Sequence, residues 1–309
     1  MGIYTLSNLW LDDGGAGAEI GGFVESRYSA GIQRLVAKAG GTVDSAFMAV
    51  QGGDMSMAFT TIDLRTILSL DTLGFLRTGH VLNAAEIGEF YWQQLDPQGE
   101  REGAASHMQF LVNLGLIVPR TLTATHGAAP ATLACDVPTI WDGTNDPVTV
   151  AKNQNLRTFA KVSYVYGLGR VDVNGTDFDD DLASMTLDPG LTLEPVGGGG
   201  EPFNRFTGIM SRDPVITLTL HSAEAIADFG EMGTAVTSGE IFLRRYEKGK
   251  RAYADAAEQH IKIAFYEGHV AVDEGGVGHG AHAQPTLTIT LNKDATHEVL
   301  VPTVDQAIT

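Results

Sequence analysis

The chain has one cysteine, three tryptophans and 20 Lys and Arg residues against 38 Asp and Glu. Each scarcity excludes something. A lone Cys135 rules out an intrachain disulfide and a multi-cysteine metal site. Its context, Ala-Thr-Leu-Ala-Cys-Asp-Val-Pro, offers no neighbouring His or cation to favour thiolate, so an inert thiol is expected. The net charge of −18 and the pI near 4.7 set the general surface against a nucleic-acid backbone, which phosphate repulsion would keep away. Only 19% of residues are charged, below the ~25% usual for soluble domains. The longest apolar stretch, residues 110–118, is broken by Asn113 and falls far short of the ~18 residues a membrane span needs. The first residues, Met-Gly-Ile-Tyr-Thr-Leu-Ser, carry neither the basic region nor the apolar core of a secretory signal, so a soluble cytoplasmic product is expected.

What remains is apolar and glycine-rich. The 43% apolar content supports a sizeable core, and 309 residues allow two domains or one large one. The 37 glycines point to many tight turns. The acidic, Gly-rich start (Asp12-Asp13-Gly14-Gly15-Ala16-Gly17) reads as an extended arm. Residues 42–51 and 55–60 read as a hairpin turned by Gly52-Gly53-Asp54, and Thr61 as the cap of a helix running to Leu70. A second helix is predicted over 83–95, because Ile87, Phe90, Tyr91 and Leu95 have helical spacing. Beyond Phe159 strands dominate. Asn174-Gly175 is a strong hairpin signal, and 215–220, 260–266 and 286–291 alternate with period two. Residues 222–230 read as one short helix. The expected fold is mainly β. An antiparallel β-sandwich or barrel with a flanking short α-helix occupies 156–309, and a mixed α/β portion occupies 1–155, which either completes the sandwich or stands apart. No repeat of fixed period is visible.

No motif singles out a catalytic residue, a cofactor or a metal. His279 and His282 form a His-x-x-His pair, but in a Gly-rich loop without the helix that fixes zinc geometry. Residues 172–181 are dense in oxygen ligands yet lack the Glu that closes a calcium loop, and the Asn-Gly hairpin explains them more simply. Val196-Gly-Gly-Gly-Gly-Glu-Pro202 lacks the Lys and Ser/Thr of a phosphate cradle and reads as a turn, as does Gly167-Leu-Gly169. Residues 244–251 hold five cations in an anionic chain. Three readings stand for them: an exposed hairpin tip, a nucleic-acid site, or a contact with the acidic patch 177–181 of a neighbouring copy. On the third reading the candidate subunit-contact residues are Asp177, Asp179, Asp180, Asp181, Arg244, Arg245, Lys248, Lys250 and Arg251.

The C-terminal half resembles phage tail tube (major tail) proteins in layout. Gly169-Arg-Val-Asp-Val-Asn-Gly-Thr176 looks like their opening strand and turn. Residues 182–195 look like the following strand pair, and 206–220 like a central strand leading into the flanking helix. The resemblance covers roughly residues 160–309. It implies a virion structural protein with no catalysis, made in the host cytoplasm. Six copies would form a ring, and their sheets would join into an inner barrel. Rings would stack into a tube through which DNA passes without specific binding, in contact with other tail proteins, and the acidic arm at 11–22 and the Gly-rich loop with Gly198 and Gly199 would be candidates for ring-to-ring contacts. Rival readings are another virion role (capsid or decoration), a soluble β-sandwich binding module and a metal-dependent enzyme.

Overall fold

A computed structural model describes residues 3–14, 17–38, 45–103, 105–127, 129–158, 162–197, 201–222, 233–247, 249, 252–274, 284–293 and 295–308. The helix expected at 222–230, the glycines Gly198 and Gly199, the cations Lys248, Lys250 and Arg251, and His279 and His282 lie outside the described residues, apart from Ser222. The rest is mainly β, in antiparallel sheets with a few short helices.

The strands are β1 (Ile3–Asp12), β2 (Ala18–Ile20), β3 (Phe23–Ser29), β4 (Ile32–Lys38), β5 (Ser45–Gly53) and β6 (Ser56–Thr61). The helices α1 (Leu64–Leu68) and α2 (Phe75–Thr78) follow, then β7 (His80–Leu82), β8 (Ile87–Leu95), β9 (Ala105–Val112), β10 (Gly115–Thr125), β11 (Ala129–Pro138) and β12 (Val148–Asn155). The second half holds β13 (Tyr164–Val173), β14 (Thr176–Asp177), β15 (Leu182–Asp188), β16 (Leu191–Val196), β17 (Phe206–Arg212) and β18 (Val215–Leu220). It ends with β19 (Thr234–Glu247), β20 (His260–Glu274), β21 (Thr286–Leu291) and β22 (Leu300–Gln306).

Five local expectations are corrected. The start of the chain is no arm: β1 lies between β8 and β2, with Leu9 and Leu11 fully buried. Residues 87–95 are strand β8. Gly88, Glu89, Phe90 and Tyr91 are all buried there, so apolar residues sit on both faces and imitate helical spacing. β5 and β6 do not pair with each other. β5 pairs with β4 and β6 with β3, making one long hairpin that bends midway. Gly167 and Gly169 lie inside β13, where a Cβ would meet the Tyr246 ring or the Phe242 carbonyl. The cap of α1 is Asp63, whose carboxylate accepts from Thr66, while Thr61 Oγ1 accepts from the Asp63 N–H.

The two halves are copies of one unit. In the first, a five-stranded sheet runs β12-β9-β8-β1-β2; in the second the same order is β22-β20-β19-β13-β14. The opposing sheets match as well, β10-β11-β6-β3 against the latter part of β20, then β21-β18-β15. The irregularities coincide, which repeated sandwiches alone would not require. The bulge Leu6/Leu9 on β1 recurs at Leu168/Val171 on β13. Phe23/Glu25 recurs at Leu182/Ser184. The ladder slip at Ala151/Gln154 recurs opposite His260/Lys262, where Gln306 follows Thr303. Asn153 and Asp305, which occupy the same place, both have positive φ, 56° and 55°. His107 Nδ1 accepts from the Gln94 N–H at 3.0 Å, and His260 Nδ1 from the Arg245 N–H at 3.1 Å. The repeat has no fixed period because the loops differ in length. Five residues separate Leu82 from Gly88, but two separate their counterparts Val236 and Gly239.

Each unit carries a bent ribbon. At the bend, Gly31 (φ 52°) accepts from the Asp54 N–H at 3.1 Å and Gly190 (φ 64°) from the Asp213 N–H at 3.1 Å. Any Cβ there would fall 2.2 Å and 2.0 Å from the facing carbonyl oxygen, so only glycine fits. The units join edge to edge through β10 and β15, with Leu122 opposite Leu187 and Thr125 opposite Ser184. One sheet thus crosses both units. Its inner face buries Leu122, Leu133, Leu187, Ile216, Leu218, Leu287 and Ile289. Its outer face carries a register row, Thr132, Thr123, Thr186, Thr217 and Thr288, one from each of five neighbouring strands.

Candidate functional site

Of the contact residues expected from sequence, the acidic ones and the two described arginines fall toward opposite ends of one strand pair. β13 and β19 are paired from Tyr164 and Glu247 at one end to Val173 and Gly239 at the other. At ~3.3 Å per residue the ends lie about 25–30 Å apart. The acidic loop follows Val173, while Arg244 and Arg245 lie toward the other end, so the structure does not bring these two arginines and the acidic loop together within one chain.

In the acidic loop much of the charge is used locally. Asn174-Gly175 turns the chain, and Asp172 Oδ1 accepts from the Gly175 N–H at 2.9 Å. Asn174 Oδ1 accepts from the Thr237 N–H at 2.8 Å, holding the turn to β19. Asp177 pairs with Arg170 at 3.1 Å and accepts from the Asp179 N–H. Phe178 is buried beneath the loop, Asp181 is half-buried and exposed Asp177 is paired with Arg170, so among the described residues Asp179 and Asp180 are the exposed carboxylates of the loop with no ion pair of that kind. Arg244 and Arg245 sit in β19 rather than at a tip. Arg244 pairs with Asp255 at 2.7 Å. Arg245 lies 3.9 Å over the Tyr164 ring, near Tyr253 and Glu247, and donates to Gln259. Neither guanidinium is a free surface cation.

The segment flanking Gly198 and Gly199 binds its own chain. Pro202 O accepts from the Gly53 N–H at 2.8 Å, and Asn204 Nδ2 donates to Asp54 at 2.9 Å. Phe203 meets Trp141 edge-on at 6.0 Å, and Arg205 lies 5.2 Å over the same indole. The end of the second ribbon (β16–β17) therefore docks on the bend of the first (β4–β5). Sequence reasoning missed Trp141 and Phe203 because nothing in their local patterns joins residues so far apart.

Among the described residues no group of three or more His, Cys, Asp or Glu side chains is placed to hold a metal. Cys135 is buried, and burial pushes its thiol well above the ordinary range. The densest charge network ties the chain past β12 to the first five-stranded sheet. Arg157 takes both Glu89 oxygens, at 2.7 and 3.1 Å, reaches Asp12 and lies 4.9 Å over Trp10. Tyr91 donates to Glu89 at 2.8 Å, and burial, with that carboxylate beside it, pushes its hydroxyl up to about 12. The Gly14 N–H and Arg157 hold Asp12 below the usual carboxylate range. The carboxylates, the guanidinium and the phenol of this network satisfy one another. The sequence matches no protein-family model and no curated protein. Among the described residues no helix is long and apolar enough to cross a membrane.

Proposed function

We propose that this chain is a structural, self-assembling subunit, the major tail tube protein of a phage, whose rings stack into a tube that conducts DNA. The observation that carries the reading is the sheet that crosses both units edge to edge and ends in an open strand, a geometry that extends naturally into a ring. The threonine row on its outer face supports it, because a row of uncharged hydroxyls gives phosphates neither cations to bind nor strong repulsion, and Arg120 near it is paired with Asp136 at 2.8 Å. Exposed Asp179 and Asp180 at one end of β13–β19 mark that end as a candidate contact between stacked rings. Contacts to other tail proteins and a place in the virion belong to the same reading.

Negative-stain electron microscopy over a concentration series tests it. Rings or hollow tubes of uniform width are the expected result. Compact single particles at every concentration, with or without added tail-tip proteins, overturn it.

A further inference from the structure

The junction between the two units has a second, unfilled half at each end of the chain. At the inner junction, β15 of the second unit pairs with β10 of the first. Its counterpart β3 has β6 as its one strand partner among the described residues, so its other edge is open. β13 crosses over β10 and β11 of the first unit, and there Tyr166 is fully buried. The counterpart of Tyr166 is Tyr4, which is 41% exposed. Leu191, 4% exposed, packs on Leu116 and Val118 of the first unit. Its counterpart Ile32 is 54% exposed. The surface that matches Leu116 and Val118 is His269 and Ala271 on β20, and it too lies uncovered, with His269 exposed and Ala271 half-buried. The place that receives the second ribbon, around Gly53, Asp54 and Trp141, has a counterpart around Arg212, Asp213 and Lys293. A groove of about 440 Å³ lies there.

We propose that a second copy of this chain fills both halves. Tyr4, Ile32 and the β4–β5 ribbon of one copy bind β20 at His269 and Ala271 and the Arg212–Lys293 groove of the next, which brings the β3 edge up against that copy. The chain-to-chain contact then repeats the contact between units inside a chain. Such an interface is heterologous and propagates until it closes. Arg34 stands where Leu193 stands inside the chain and Asp273 where Arg120 stands, and Leu193 and Arg120 line one pocket, so exposed Arg34 and exposed Asp273 meet across this contact and set its direction. Each chain fills two positions in the ring. On the six-position ring of the tube reading, on which this number rests, three chains complete the circle rather than six.

Disulfide trapping tests the contact. Leu191→Cys with Val118→Cys is the internal reference and links within one chain, leaving its mass unchanged on a denaturing gel. Ile32→Cys with Ala271→Cys places the equivalent pair across two chains, and oxidation yields a ladder of covalent multimers. Single-cysteine variants give dimers at most. A closed reference without a ladder overturns the contact. The charge variant Tyr4→Glu/Ile32→Glu alters side chains exposed in the isolated chain, so it stays folded but loses association at least tenfold. Unchanged association also overturns the proposal. Native mass measurement of closed rings reads three chains, and six chains refute the count. A ladder in assemblies that are not tubes leaves the contact standing and sinks the tube reading. Tubes without a ladder do the reverse.

Discussion

His107 has no exposed surface, and its Nδ1 accepts the Gln94 N–H, so the folded chain needs the imidazole neutral. Burial holds its pKa below the ordinary value of about 6.5. As pH falls through that value the unfolded chain takes up a proton that the folded chain resists. The stability this residue contributes is therefore complete above about pH 6.5 and declines below it, until the pH passes the lower folded value. Urea titrations at pH 7.5 and 5.5 are expected to show a lower midpoint at the acid value. In His107→Gln the difference narrows. A second residue-scale expectation concerns Gly190. Alanine there would combine a positive φ with a carbonyl oxygen 2.0 Å from its Cβ. A loss of about 1–3 kcal/mol is expected from chemical denaturation of Gly190→Ala.

At the scale of elements, sequence legibility depended on whether one face of a strand meets solvent. β18, β20 and β21 each cover the core with one face, so Ile216, Leu218, Ile261, Ile263, Leu287 and Ile289 alternated visibly and were found buried. β8 is covered on both faces, so its period disappeared and a helix was expected in its place. β1 was hidden by the acidic Gly-rich turn that follows it, although Leu9 and Leu11 lie in the core. The bent ribbons were illegible for another reason. The bend at Gly31 and Asp54 splits each strand into two short runs, and a local reading pairs the nearest runs instead of the correct ones. The contact residues were legible as charges but not as partners: Arg244 and Arg245 looked like a basic patch and are held by Asp255, Tyr164 and Gln259. The duplication left traces such as Gly88-Glu89 against Gly239-Glu240 and His107 against His260, too sparse and unevenly spaced for a periodic search.

At the scale of the molecule, the open β3 edge and the filled β15 edge make a direct comparison inside one chain. Outward amides of β15 are hydrogen-bonded by β10, whereas those of β3 face solvent. Hydrogen exchange on dilute protein is expected to show slow β15 amides and fast β3 amides. In the assembled state the β3 amides slow to match. If β3 stays fast in assemblies, the edge is not where copies join. The inner junction is also the more apolar of the two: Leu116 and Val118 stand where β20 has His269 and Ala271. It is the permanent joint, and the outer one is suited to form and open.

Tethering the two units has a kinetic consequence. Residues 156–163 keep the second unit within a few nanometres of the first, so the inner joint closes at an effective concentration in the millimolar range rather than at the concentration of free protein. Half of the joints in any circle of these units then form during folding, before two molecules ever meet. Growth requires half as many encounters, and an odd number of positions can never be filled. Tandem fusion thereby acts as a parity filter on assembly, admitting only circles with an even number of units.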